Sequence, residues 1–224
     1  MLIMKFQINS FNLEVKKSLT KLVSSAIYSN LDKKRHEGIN YKGKLFKECG
    51  FSAYHNMSSK EIIIKFHSLH DVDITALIKA CLGKTFKIGD IFYSDTSVEV
   101  IEDTIDYENE VIVGECTSLV YKTIDTKRKF IFSDNPDFFE IIKRNILQKY
   151  VAINGNEYKG QLSIKVLKTI SDKKCLYYGK YPYFGKKEIY MMKAEKEMLD
   201  LIVKSGFGSG NMKGFGLLSL VDVR

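Results

Sequence analysis

No run in this chain approaches the roughly 18 consecutive apolar residues that a membrane-crossing helix needs, and the sequence therefore predicts a soluble, cytoplasmic protein. No C-x-x-C pair occurs either. Cys49, Cys81, Cys116 and Cys175 stand 32, 35 and 59 residues apart, which excludes a zinc knuckle and predicts reduced, buried thiols acting as small apolar side chains. Proline is scarce, at 2. What is present is core-forming material: 45% of residues are apolar and 12% aromatic, with 13 Tyr and 14 Phe, and intrinsic disorder is excluded. The 224 residues suffice for one large domain or two small ones of roughly 100 residues each.

The formal net charge of +8 points toward an anionic partner, and its distribution says more. Residues 1–60 carry 11 basic and 4 acidic side chains, residues 159–224 carry 13 and 6, and the stretch between carries 11 and 17. Two basic ends thus flank an acidic middle. Either both ends fold onto one face and bind a polyanion such as RNA, or they are solvated faces with no partner.

Hydrophobic periodicity divides the chain into two similar halves. Leu2 to Ile8 alternates as a strand, and Leu19, Leu22, Val23, Ala26, Ile27 and Leu31 fall at helical spacing. Strands are expected at Cys49–Met57 and Glu61–Phe66, a helix at Asp73–Leu82 and a strand at Ile91–Glu102. The order is β-α-β-β-α-β, the ferredoxin-like arrangement. The polar stretch Glu102–Glu110 marks a boundary, giving domains 1–106 and 107–224. The second half restarts with a strand at Val111–Val120. Ser133-Asp134-Asn135-Pro136 then offers a helix start, followed by an apolar face of Phe138, Ile142, Ile146 and Tyr150. Strands at Leu162–Lys168, Cys175–Tyr181 and Glu188–Lys193 follow, then a helix through Ala194, Met198, Leu201 and Ile202 and a last strand within Gly214–Val223. The expected fold class is α+β, with two tandem ferredoxin-like (RRM-like) domains.

Five of the 15 glycines, Gly206, Gly208, Gly210, Gly214 and Gly216, fall within 11 residues, with Lys204 just before them and Lys213 among them. Glycines free to adopt positive φ let backbone N–H groups approach a phosphate, which predicts an anion-binding loop. A helix C-cap at Gly206 followed by a turn is the bland alternative. A Walker loop is excluded, because Lys213 precedes its glycine and the loop runs from helix into strand, and a Rossmann fingerprint fails on the same order.

Helix, G-F-G-x-x-x-x-x-G-F-G, then an apolar strand at the C-terminus resembles the signature of the CRISPR RNA-processing endoribonucleases of the RAMP superfamily. Lys149-Tyr150-Val151, Tyr181 with the strand after it, and Ala26-Ile27-Tyr28 extend the likeness. The resemblance implies two ferredoxin-like domains and cleavage of precursor CRISPR RNA within its repeats, without metal or other cofactor, leaving a 2′,3′-cyclic phosphate and a 5′-OH. Its catalytic pattern maps onto Tyr28, His36 and Lys47. By that resemblance His36 is general acid or base, Tyr28 assists proton transfer or orients the 2′-OH, and Lys47 stabilises phosphate charge, with Lys44 a close competitor.

The residues themselves leave alternatives. His36 stands in a basic loop and, taken alone, reads as an exposed histidine. His67 and His70 have an H-x-x-H spacing, more simply turn residues than metal ligands. The segment from Lys173 to Lys187 interleaves aromatics with Lys173, Lys174, Lys180, Lys186 and Lys187, which are expected to contact RNA backbone, while its rings serve either stacking or the core. The expected partners are CRISPR repeat RNA, other CRISPR effector subunits and a second copy of the chain. The rivals are a non-catalytic RAMP subunit that holds guide or repeat RNA, and an unrelated ferredoxin-like nucleotide binder.

Overall fold

Leu2, Met4, Phe6 and Ile8 are all buried, because alternate side chains of a strand project from the same face and here that face lies under two helices. The computed structural model describes residues 1–8, 13–91, 93–101, 110–125 and 127–221, with the backbone alone for 13–18, 36 and 173. The first half runs β1 (Leu2–Ile8), α1 (Leu13–Ser29), a short α2 (Lys33–Glu37), a small hairpin of β2 (Ile39–Tyr41) and β3 (Lys44–Phe46), β4 (Cys49–Asn56), β5 (Glu61–Ser68), α3 (Asp71–Leu82) and β6 (Tyr93–Val100). Its four-stranded sheet has the order β4-β5-β1-β6 and is antiparallel throughout. Val23, Ala26 and Ile27 of α1 and Leu77, Ala80 and Cys81 of α3 pack on the Leu2-Met4-Phe6 face.

The second half repeats the plan with β7 (Val111–Ser118), an inserted hairpin of β8 (Tyr121–Ile124) and β9 (Lys127–Phe130), α4 (Asp137–Asn154), β10 (Ser163–Tyr178), β11 (Tyr181–Lys193), α5 (Lys196–Ser205), a 3-10 turn at Asn211–Lys213 and β12 (Ser219–Leu220). Its sheet order, β10-β11-β7-β12, matches the first when strands are counted within each half. Phe138, Ile142, Ile146 and Tyr150 of α4 and Met198, Leu201 and Ile202 of α5 fill its core, as their helical spacing predicts. Two tandem ferredoxin-like units on an α+β plan result. The junction expected at residues 106 and 107 lies outside the described residues.

Three expectations are corrected. The strands anticipated at Leu162–Lys168, Cys175–Tyr181 and Glu188–Lys193 are two long strands turning at Gly179-Lys180. Register shifts between Val166 and Lys168, Thr169 and Ser171, and Ser171 and Lys174 disturb the alternation and hide the continuity from a periodicity reading. Cys49, Cys81 and Cys116 are buried, but Cys175 is exposed, since it lies where β10 and β11 run on past the pairing of β11 with β7. The segment of His36 is a helical turn rather than a loop, capped by Asp32, whose carboxylate accepts from the Lys34 N–H at 2.8 Å.

The far end of the β10–β11 hairpin crosses to the first half. Thr20 of α1 donates from Oγ1 to the Tyr177 carbonyl at 2.5 Å. The basic hairpin and the basic N-terminal helix therefore meet.

Candidate active site

The glycine-rich loop joins the two halves. Met212 enters the first half's core, with the Cys49 thiol 3.6 Å from its sulfur, while Phe207 lies in the core of the second. All five loop glycines have positive φ, between 73° and 90°. The N–H groups of Gly206, Phe207, Ser209, Lys213, Phe215 and Gly216 donate to the carbonyls of Ile202, Gly216, Leu119, Gly210, Gly210 and Thr117. These six donors face the protein rather than a ligand, and the glycines serve close backbone packing there. Gly208 and Gly210 line a cleft on the helix side of the joint, Gly214 and Gly216 line a groove on its sheet side, and Gly206 caps α5.

The helix-side cleft, about 520 Å³, brings together Tyr28, Lys44, Lys47, Tyr178, Tyr183, Lys149 and Lys213. Tyr28 ends α1 and is half-buried, and the Lys47 ammonium stands 5.4 Å from the centre of its ring. Burial, reinforced by Cys49 and Tyr178, pushes the Tyr28 phenol well above its ordinary range, so it stays protonated. Desolvation lowers Lys47, against the opposing pull of Cys49. Lys44 reaches α4 instead, donating to Gln148 Oε1 at 3.1 Å. Among the described residues, Lys47 is thus the lysine set against Tyr28.

The backbone of His36 lies in α2, and its side chain is outside the described residues. What holds α2 is plain from its neighbour. Arg35 pairs with Glu48 at 2.8 Å and with the buried Asp73 at 3.4 Å, and His70 Nε2 meets the other Glu48 oxygen at 2.8 Å. Since Glu48 follows Lys47, the pairs bind the His36 helix to the Lys47 segment. His67 is buried in β5, and among the described residues no group of three or more His, Cys, Asp or Glu side chains is placed to hold a metal ion.

The expected RNA-contacting lysines part company. Lys213 lines the cleft, and Lys174 and Lys187 line the sheet-side groove with Lys65, where Lys187 pairs with Glu115 at 2.6 Å. Lys186 bonds Asp134 at 3.1 Å, Lys180 is exposed at the hairpin turn, and Lys204 is exposed on α5. The Lys173 side chain lies outside the described residues.

Sequence reasoning gave no role of their own to Lys149, Arg128 and Tyr183. Lys149 is 2% exposed, and its ammonium donates to the carbonyls of Ser205 and Gly206 at 2.9 and 2.8 Å and to Asn211 Oδ1 at 3.1 Å. Three acceptors match the three ammonium protons, and two of them end α5, where the helix dipole favours a cation. The signal was there: Lys149 sits on the same helical stripe as Phe138, Ile142 and Ile146. Burial pushes its pKa down to about 7. Unfolded, the same group titrates at about 10.4, so across the interval between these values the unfolded chain keeps a proton that the folded chain has released, and stability rises with pH. The gap in urea midpoint between the parent protein and Lys149→Met should therefore widen from pH 7 to pH 10. A gap that does not change with pH would mean that the ammonium persists.

The family model described as CRISPR associated protein Cas6, C-terminal, matches residues 101–220, more than half of the chain. No curated protein matches it significantly in sequence. Among solved structures, the product of a Cas6-related gene from Pyrococcus furiosus superposes with a TM-score of 0.70 at 16% identity, covering 100% of this chain and 99% of that one. A structure described as a RAMP protein binding different RNA substrates gives 0.70 at 15%, covering 99% of both chains. Thermus thermophilus Cse3, bound to an RNA representing a pre-cleavage complex, gives 0.51 at 11%, covering 99% and 98%. At these identities the likeness is one of fold.

Proposed function

This chain belongs to the Cas6 family of CRISPR-associated proteins, and from that premise we propose that it binds CRISPR repeat RNA and cleaves precursor CRISPR RNA without a metal. In the proposed reaction a ribose 2′-OH attacks the adjacent phosphate, leaving a 2′,3′-cyclic phosphate and a 5′-OH. The chemistry needs a proton acceptor, a proton donor and positive charge near the phosphorane. The observation that carries the reading is the cleft at the joint of the two halves, lined by Tyr28 and Lys47 together with Lys213 of the glycine-rich loop.

His36 takes the 2′-OH proton, the role an imidazole suits among side chains. Tyr28, held protonated by burial, orients the attacking hydroxyl by donating a hydrogen bond. Lys47 balances the charge that gathers on the phosphorane. The lysines of the sheet-side groove, Lys65, Lys174 and Lys187, suit the backbone of RNA flanking the cut. Relatives solved with RNA bound support the same reading.

Repeat RNA incubated with the protein in EDTA should be cut to products ending in a cyclic phosphate, and His36→Ala should slow the cut by about 100-fold or more. Tight, salt-sensitive binding with no cut would identify a subunit that only holds RNA. Cleavage unchanged in His36→Ala would remove that residue from the mechanism.

A further inference from the structure

Tyr183 is the third residue of β11, just past the hairpin turn, and its phenol oxygen is held in an unusual way. Lys213 Nζ donates to it at 2.9 Å and Arg128 donates from a guanidinium nitrogen at 2.8 Å. The same two cations lie against its ring, at 4.5 and 5.6 Å from the centre. Lysine and arginine only donate, so the phenol accepts twice and its own proton is used by neither. Among the described residues no acceptor takes that proton. The ring itself is 5% exposed, packed against Phe215 and Leu119, yet the residue lines the cleft that holds Tyr28 and Lys47.

The two phenols of the cleft are therefore opposites. Tyr28 is pushed up by burial and holds its proton. Burial also acts to raise Tyr183, but the hydrogen bond and charge of Lys213, with the charge and hydrogen bond of Arg128, outweigh it and bring the phenol below its ordinary value. Arg128 comes from the inserted β8–β9 hairpin, whose Lys127, Arg128 and Lys129 lie in the stretch that is acidic overall.

We propose that Tyr183 is a further catalytic residue, the acid that protonates the 5′-oxygen leaving group in the cleavage reaction, with Lys213 and Arg128 stabilising the phenolate it becomes. The proposal rests on the cleavage reading above and completes its proton balance. The 2′-O–H bond breaks and His36 takes the proton, the 2′-oxygen bonds to phosphorus, and the bond from phosphorus to the 5′-oxygen breaks. The Tyr183 proton passes to that oxygen as it leaves. The phenolate then regains a proton from water as His36 loses one, and the protein is restored.

The test uses two repeat RNAs, one natural and one with sulfur in place of the bridging 5′-oxygen at the cut. Sulfur leaves as a thiolate and needs no acid. Tyr183→Phe, which keeps the ring and its packing, should cut the natural RNA about 100-fold more slowly than the parent protein and the sulfur RNA at close to the parent rate. His36→Ala should be slow on both. Arg128→Met should show the Tyr183→Phe pattern in smaller measure, since Lys213 remains on the phenol oxygen. A Tyr183→Phe protein that is equally slow on both RNAs, or unimpaired on the natural one, overturns the acid role. A parent protein that cuts neither RNA overturns the cleavage reading instead.

Discussion

Lys149→Met should lower folding stability by about 4 kcal/mol, because it strips the donor from three buried acceptors and each orphaned group costs about 1–3 kcal/mol. The methionine fills nearly the same volume, so the loss reports hydrogen bonding rather than a cavity. The Ser205 and Gly206 carbonyls close α5 and open the glycine-rich loop, and Asn211 begins the 3-10 turn that carries Met212 and Lys213. The variant should therefore also lose most of its RNA cleavage, although nothing in the proposed chemistry assigns Lys149 a proton. Urea unfolding measures the first effect and a cleavage assay at low denaturant the second. Lys204→Met, on the exposed side of α5, is the matched control and should shift stability by no more than about 0.5 kcal/mol. Equal losses in the two variants would show that the buried contacts are energetically idle.

Gly216→Ala should be nearly as damaging, at about 3–5 kcal/mol. Its φ is +73°, which costs an L-residue about 1–2 kcal/mol, and a Cβ there would collide with the Phe207 carbonyl and lie 2.6 Å from Asn211 Nδ2. Neither obstacle can withdraw easily. Phe207 is buried and its N–H bonds the Gly216 carbonyl at 2.7 Å, while Asn211 is held by Lys149. Gly43 separates the two costs. It has nearly the same φ, +76°, in the β2–β3 turn, with no atom within 4 Å of the added carbon, so Gly43→Ala should lose only the conformational share. Thermal melts of the two variants give the comparison. A Gly216→Ala protein no less stable than Gly43→Ala would mean that the loop shifts without cost.

These outcomes bear on why the loop is rich in glycine at all. A phosphate-binding loop spends its N–H groups on ligand, whereas here six of them are committed inside the protein. Positive φ at Gly206 and Gly216 lets two strands of loop backbone lie against one another across Asn211. The composition that suggested anion binding is, at those positions, the composition needed to fold the chain tightly between two cores. Positive charge at the cleft comes from side chains rather than from backbone donors, Lys213 of the loop among them.

The main helices, most of the sheet strands and both cores were legible in the sequence because they depend on local period, whereas α2 and the two small hairpins, β2–β3 and β8–β9, were not. Leu2, Met4 and Phe6 mark a strand with one buried face, and Phe138, Ile142, Ile146 and Tyr150 mark a helix with one buried stripe, whatever else the chain does. The β10 strand escaped because its register shifts break that period. Membership of the glycine motif in a family pattern was also readable, being a matter of residues close together in the chain. Only the tertiary structure decided which acceptors Lys149 meets and that Cys175 is exposed, that the loop turns its donors inward, and that Tyr28 shares a cleft with Tyr183 and Lys213. Tyr28 and Tyr183 are 155 residues apart and belong to different halves, one to α1 and the other to β11. No periodicity within either half encodes how the halves dock, since that is set by Met212 entering one core, Phe207 the other, and the hairpin meeting α1 at Thr20.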